Sequence, residues 1–508
     1  MYLAAASVIL ALVSLPGGPL PHLALVALVP IGVALHGASV RRSLLYAYAT
    51  AFLGWLGSTV GLLSAFSSYA HASRVEATAV VALSCAYLAL PYAGFGLLYG
   101  RFQWMNSARG AVNTAACLTL LVTALPSPLP LDSSHALYRV PLLIQILDIG
   151  GQPLLLFTLY LFNWLCVAVI VAIRDGQRYR GAVTSLLCLG VCVVGYGYAR
   201  VTAERESGEG RARIALIQPN APVTGPHPHS EDALNPFRAP LDMSTRVLSD
   251  RARIDLVVWP EIPTRISCES ETGVRSELTA IVARFGVPFL VNCVTPAPGG
   301  GDHNTELLLT PDGHTHEYHK QRLFPLTEYI PGESWIPGLR RLFPGTSRYV
   351  TGTQATTLPV NEVVRVIPAT CYELLFRRHA TAFLQSGGNL LVSAANDAWF
   401  GRSRIPEFAI AASVFQAVRH RIPVIRVSNS GNSAAVSATG RVLTGSPTAA
   451  FTQMALVVDV EIPHTRPPSR YPEDAFLWLL AFVWLGGVVR DIAARGLRGD
   501  RPPRPASR

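Results

Sequence analysis

Seven apolar runs follow one another in the first part of the chain: Tyr2–Leu15, Leu23–Leu35, Leu44–Phe66, Ala77–Tyr99, Ala111–Leu125, Pro141–Ile173 and Ala182–Ala199. Several reach the ~20 residues that a helix needs to cross a bilayer, where every backbone polar group must be satisfied internally. The first two are short and suit a tight or re-entrant pair around Pro16-Gly17-Gly18-Pro19. The sixth is long enough to tilt or to include an interfacial piece. An eighth run, Ala475–Val489, stands near the end of the 508 residues. Composition agrees: half of the residues are hydrophobic and 15% are charged, against about a quarter charged in soluble domains. The same figures exclude a disordered, collagen-like or small disulfide-stapled chain.

The arginines set an orientation. With a cytoplasmic N-terminus, the inside loops hold Arg41, Arg42, Arg101, Arg109, Arg174, Arg178 and Arg180, and the outside loops hold only Arg74 and Arg139. This is the positive-inside pattern. A cleaved signal peptide is not expected, because no Lys or Arg precedes Arg41. After seven crossings the large middle segment lies outside the cytoplasm. The eighth run returns the chain to a tail carrying Arg490, Arg495, Arg498, Arg501, Arg504 and Arg508. Most of the net charge of +10 is topogenic arginine. No basic stripe interleaved with aromatics points to nucleic acid.

The expected organisation is therefore a helical transmembrane domain at 1–203, an extracytoplasmic domain at 211–463, a C-terminal transmembrane helix at 473–491 and a basic tail at 492–508. Glu204–Gly210 and Pro463–Pro472 read as linkers. Between them, strands are expected at Arg213–Gln218, Asp255–Trp259, Pro288–Val294, Glu306–Leu309, Val363–Ala369, Asn389–Ala394, Pro423–Ser428, Ser433–Ala438 and Ala455–Val460. Helices are expected at Pro240–Arg253, Val274–Phe285, Glu373–Ser386 and Phe408–His420. Helices interspersed with apolar strands predict a layered α/β domain.

Of the 42 basic residues, Lys320 is the only lysine. A genome rich in G and C accounts for the arginines but not for the one lysine that remains. Chemistry that needs a compact ammonium rather than a planar fork would retain it, and chance survival is the alternative. Cys85, Cys117, Cys166, Cys188 and Cys192 lie in apolar runs and read as small hydrophobes. No CxxC pair or Cys/His cluster suggests a metal, which leaves Cys268, Cys293 and Cys371 in the polar middle. Glu261, Lys320 and Cys371 each follow a strand or its connection, where layered α/β domains place catalytic groups. Cys371 precedes a helical run, and a helix N-terminus lowers a thiol pKa. Glu261 can then serve as general base and Lys320 as oxyanion partner. Singly, such residues are more often structural.

Taken with their flanks, Val258-Trp259-Pro260-Glu261, Lys320 with Leu323-Phe324-Pro325 and Glu328-Tyr329, and Cys371-Tyr372-Glu373 resemble the Glu-Lys-Cys signature of the nitrilase superfamily. Asn396-Asp397-Ala398-Trp399-Phe400-Gly401 resembles a motif of its apolipoprotein N-acyltransferase branch. Ser14-Leu15-Pro16, Val26–Ile31 and Leu143–Asn163 are similar to that branch's membrane half. The resemblance implies a polytopic α-helical membrane domain plus an αββα sandwich. It also implies a two-step acyl transfer from a phospholipid, through a thioester, to the N-terminal amine of a diacylglyceryl-cysteine lipoprotein. Cys371 would be the nucleophile, Glu261 the base and Lys320 the oxyanion partner. Glu328, Glu373 and Tyr372 would support them, and Trp399 and Phe400 would form a lid. It implies no metal or organic cofactor, a monomer, and a multi-pass protein of the bacterial inner membrane.

Two stretches depart from the family pattern: Pro325-Leu326-Thr327-Glu328-Tyr329 replaces Pro-Phe-Gly-Glu-Tyr, and Ile405-Pro406-Glu407-Phe408 replaces a Gly-Pro stretch. Two other readings use the same residues. One is a membrane-tethered carbon–nitrogen hydrolase that releases the acyl group to water. The other is a transporter or receptor, for which the spans hold few ionisable residues, Asp148 being the main exception.

Overall fold

A computed structural model describes all residues except 1, 64–72, 105–106, 128, 205–209, 222–234, 251–252, 262–266, 268–272, 326, 343–345, 464–472 and 497–508. Most of both expected linkers, the end of the third apolar run, Cys268, Leu326 and the tail beyond Gly496 lie outside the described residues.

The chain begins with α1 (Tyr2–Ser14), a 3₁₀ turn at Pro21–Val26, α2 (Val29–Leu35), α3 (Val40–Thr59), α4 (Arg74–Leu88) and α5 (Leu90–Phe102). It continues through α6 (Ala108–Ala124), a 3₁₀ turn at Ser133–Arg139, α7 (Pro141–Ile144), α8 (Leu147–Arg174) and α9 (Arg180–Glu204). Among the described residues four helical segments are long and apolar enough to cross a membrane: Arg74–Phe102, Leu147–Arg174, Arg180–Ala203 and Glu473–Ala493. Tyr2–Ser14, Pro21–Leu35 and Ala108–Ala124 are apolar but shorter. Local chemistry sets the ends. Ser73 caps α4 by accepting from Glu76 N while Glu76 Oε2 accepts from Ser73 N, a reciprocal cap.

Three expected helices of the membrane half are broken. Ala77–Tyr99 divides at Ala89 into α4 and α5. Leu23–Leu35 divides into the 3₁₀ turn and α2, with Pro30 in the first turn of α2, where its missing N–H costs least. Pro141–Ile173 divides into α7 and α8, and α8 bends at Gly150 and Gly151 just before Pro153. Gly151 has φ of 64° and the Glu473 carboxylate lies where a Cβ would sit, so only glycine fits this bend.

The middle of the chain builds two sheets. Strands β1 (Arg211–Gln218), β2 (Leu256–Val258), β3 (Phe289–Pro296), β4 (Asp302–Leu309), β5 (Thr315–His319) and β11 (Met454–Glu461) form one sheet in the order β11-β1-β2-β3-β4-β5. Strands β6 (Leu358–Pro359), β7 (Arg365–Thr370), β8 (Leu390–Ala395), β9 (Val424–Ser428) and β10 (Ala434–Val436) form the other in the order β10-β9-β8-β7-β6. The parallel pairs β1–β2–β3 and β7–β8–β9 require crossovers. These carry α10 (Asn235–Ser249), α11 (Gly273–Phe285), α12 (His379–Gln385) and α13 (Ile405–His420).

Alternation along each strand separates two apolar layers. Leu290 and Leu308 join Val366 and Val392 between the sheets. Val291, Leu307 and Leu309 face Phe237, Leu241, Leu278 and Val282 of α10 and α11. Burying each such side chain contributes about 1.5–3 kcal/mol. The result is the expected αββα sandwich, followed by α14 (Glu473–Gly496).

The sandwich and the membrane helices are joined by buried polar bonds. Asp148 Oδ2 accepts from Arg421 Nη2 at 2.7 Å and from Arg200 Nε at 3.1 Å. Tyr138 donates to Glu407 Oε2 at 3.1 Å, and Glu473 pairs with Arg419 at 3.2 Å. Asp148, the ionisable residue that a transporter reading would use, is thus a tie between domains. The departure at Ile405–Phe408 begins α13, and its Glu407 forms one of these ties.

Candidate active site

The ends of the strands converge. Glu261 follows β2, Lys320 follows β5, Cys371 follows β7 and Asn396 follows β8. Lys320 is 1% exposed, and its Nζ lies 2.9 Å from Glu328 Oε1 and 3.4 Å from Glu261 Oε1. Glu328 Oε2 accepts from Phe324 N at 2.7 Å, closing a short loop that holds the carboxylate under the ammonium. The Lys320 ammonium also sits 5.6 Å from the Tyr372 ring centroid, a cation–π contact. Tyr372 is itself fixed by donation to Leu323 O at 2.6 Å. Burial alone would lower the Lys320 pKa. The charges of Glu261 and Glu328, then of Cys371 and Glu373, hold it well above its ordinary value. Lys320 is therefore a permanent positive charge at this position.

Cys371 sits in the left-handed region, with φ of 56°. For a non-glycine residue this costs about 1–3 kcal/mol and persists only where surroundings impose it. Glu373 supplies that restraint. Buried completely, it accepts from Thr370 N, Gln321 N, Arg322 N and the Tyr318 hydroxyl at 2.8–3.0 Å. It thereby fastens the turn after β7 to the chain that carries Lys320.

The expected helix Glu373–Ser386 is not continuous. Cys371–Leu375 is a 3₁₀ turn, and α12 starts only at His379. The helix-terminus argument for a lowered thiol pKa fails with it. Burial, then the charge of Glu261, pushes the Cys371 thiol well above its ordinary value against the pull of Lys320. A protonated thiol needs a base. Glu261 Oε1 is held by Asn304 Nδ2 at 2.9 Å and by Lys320, and no hydrogen bond engages its Oε2 among the described residues.

Asn304 is a site residue that the motif reading missed. Its amide donates both protons into the site, to Glu261 Oε1 and to Glu328 Oε1 at 3.0 Å. The available signal was a polar residue at an inward position of a strand that otherwise alternates into the core. The aromatic motif after β8 is anchored by Arg426, which pairs with Asp397 at 2.7 Å inside the sandwich. Trp399 is 36% exposed, whereas Phe400 is half-buried and packs edge-on to Phe324. Among the described residues no cluster of His, Cys, Asp or Glu could hold a metal. Cys293, on β3, is disulfide-bonded, a pairing the sequence reading did not foresee.

A cavity of about 100 Å³ lies in the membrane half, lined by Leu15, Leu28, Trp55, Phe95, Leu159 and Trp164 among others. No member of the Glu261–Lys320–Cys371 group lines it. Arg404, just beyond the aromatic motif, donates to Leu12 O near the end of α1.

The sandwich matches the carbon–nitrogen hydrolase model over residues 213–466, and the chain belongs to that family. Ahead of it, residues 7–165 match the apolipoprotein N-acyltransferase N-terminal domain. A relative from Geobacter metallireducens, named apolipoprotein N-acyltransferase, is 26% identical over 517 residues, covering 97% of this chain and 95% of that one. A relative of the same name from Chlorobaculum tepidum is 26% identical over 352 residues, covering 63% and 64%. The crystal structure of Saccharomyces cerevisiae Nit3, of the nitrilase superfamily, covers 49% of this chain and 90% of its own at 14% identity, with a TM-score of 0.38.

Proposed function

We infer that this protein is an apolipoprotein N-acyltransferase. It moves an acyl chain from a membrane phospholipid, by way of a cysteine thioester, to the N-terminal amine of a diacylglyceryl-cysteine lipoprotein. The observation that carries this reading is a buried lysine, shared by two carboxylates beside a strained cysteine, on a sandwich fastened to membrane helices.

In the first step the Cys371 thiol gives its proton to Glu261 as Sγ attacks the ester carbonyl. Lys320 stabilises the oxyanion of the tetrahedral intermediate. Collapse breaks the ester C–O bond, and the leaving lysophospholipid oxygen takes the proton back from Glu261. In the second step the lipoprotein amine attacks the thioester and loses a proton to Glu261. The C–S bond breaks and the sulfur is reprotonated.

Both substrates carry acyl chains whose exposure to water costs about 0.8 kcal/mol per CH₂, and a site held against the bilayer avoids that cost. Trp399 and Phe400 would close over the thioester and exclude water. The apolar cavity among the helices suits an acyl chain. An extracytoplasmic sandwich is supported by the arginine distribution and by bonded Cys293, since disulfides persist in oxidising compartments.

Purified protein given phospholipid and a diacylglyceryl-Cys peptide is expected to yield N-acyl peptide and lysophospholipid. Release of free fatty acid without N-acyl peptide would instead support the hydrolase reading.

A further inference from the structure

The inward faces of β3 and β4 are apolar at one end and polar at the other. Leu290 pairs with Leu308 across the ladder, and the next inward pair is Asn292 with Glu306. A carboxyl at such a position is costly unless it is hydrogen-bonded. Glu306 is 1% exposed, and its Oε1 accepts from Thr370 Oγ1 at 3.0 Å and from Asn292 Nδ2 at 3.2 Å. Its Oε2 is buried with no partner among the described residues. Thr370 immediately precedes Cys371. Asn292 Nδ2 also donates to Asn304 Oδ1 at 2.7 Å, which turns the Asn304 amide protons toward Glu261 and Glu328. Glu306 therefore reaches both halves of the site without touching a reacting atom.

We propose that Glu306 is a positioning residue that fixes the nucleophile against the base across the two sheets. Through Thr370 it holds the strand end that carries Cys371. Through Asn292 and Asn304 it holds Glu261. The proposal rests on the acyl-transfer reading for the reaction it serves.

Glu306 does this while uncharged. The groups around it are Glu261 after β2, Tyr318 and Lys320 at β5, Glu328 in the following loop, and Cys371 and Glu373 after β7. Glu261 and Glu328 already share the one ammonium there, and Glu373 adds a third carboxylate nearby. Burial pushes the Glu306 carboxyl up to about 8, with Glu261 and Glu373 adding to the rise and the Thr370 and Asn292 hydrogen bonds opposing it. Above that pH a further negative charge faces the anionic transition state and raises its energy. The rate of acylation falls on the alkaline side as a result.

The test uses the full chain in phospholipid nanodiscs, with acyl-enzyme formation followed from about pH 6 to 10. Glu306→Leu is expected to lower the acylation rate constant at neutral pH about tenfold or more without raising KM. Glu306→Gln, which keeps the acceptor oxygen, is expected to recover most of that loss. It should also move the alkaline fall upward by about one pH unit or more. An alkaline limb unchanged in Glu306→Gln overturns the proposal, as does a Glu306→Leu enzyme as fast as wild type. Should Glu306→Leu fail to fold, the Glu306→Gln profile decides alone. Alkylation of Cys371 by iodoacetamide over the same range needs no natural substrate. A shifted alkylation profile in a protein that forms no acyl-enzyme would sink the acyl-transfer reading and keep the positioning role.

Discussion

The two sheets of the sandwich contribute different things to one cleft. The six-stranded sheet and its connections bring the charge: Glu261, Lys320, Glu328 and the Asn304 amide that holds the two carboxylates. The five-stranded sheet brings the sulfur and the aromatic loop. Its connections also make the bonds to the membrane half, through Arg404, Glu407, Arg419 and Arg421. Charge is organised on one side and attachment to the membrane helices on the other. What sets their spacing is a small number of cross-sheet bonds, chiefly those of Glu373 and Glu306. The register between the sheets therefore sets how Cys371 meets Glu261 and Lys320.

The largest effect on that division comes from removing its positive charge in kind. Lys320→Arg keeps a cation, but the fork does not fit between Glu261, Glu328 and the Tyr372 ring. Acylation is expected to fall about 10³-fold or more while the protein still inserts and folds, as measured by acyl-enzyme yield and thermal unfolding. Asn304→Ala releases both carboxylates of the six-stranded sheet and is expected to cost about 10–100-fold in acylation rate. On the other sheet, Trp399→Ala should change acylation by less than about tenfold while raising the share of thioester lost to water. That share is read as fatty acid released per N-acyl peptide formed.

The smallest effect on chemistry is expected from Arg421→Ala. It breaks a tie between the sandwich and the membrane half and leaves Asp148 with Arg200 and Tyr196. Stability should drop by about 1–3 kcal/mol, measured by thermal unfolding, with acylation by the folded fraction within about twofold of wild type.

Linkage adds a stability test of the same comparison. Glu306 has a folded pKa raised to about 8 from an ordinary 4.5. Its contribution is therefore fully present below about 4.5 and is lost as the pH rises through about 8. Glu306→Gln should unfold at a more nearly constant temperature between about pH 6 and 9 than wild type.

Much of this arrangement could be read from the residues. Nine of the strands, the order of helices and strands, and the convergence of Glu261, Lys320 and Cys371 follow from alternation and from short flanking motifs. What escaped reading has physical causes. The β5 strand, Thr315–His319, carries polar side chains on an exposed edge, so no apolar alternation marks it. β6 is two residues long and includes Pro359, below any periodic signal. Glu373–Ser386 looks like one helix because Leu374, Leu375 and Phe383 are helically spaced. Yet Cys371 in the left-handed region and the four bonds to Glu373 impose a tight turn instead. Asn292, Asn304 and Glu306 are polar residues at core positions, and their partners are distant in sequence. Their role is visible only once β3, β4 and β7 are brought together.

The central claim is that Cys371 becomes acylated under the control of Lys320. Intact-protein mass spectrometry with peptide mapping, after incubation of the full chain with a phospholipid of defined acyl composition, tests it most directly. The account predicts one added acyl group on Cys371, removed by hydroxylamine and absent from Lys320→Arg. Acyl on another residue, or full acylation of Lys320→Arg, would contradict it.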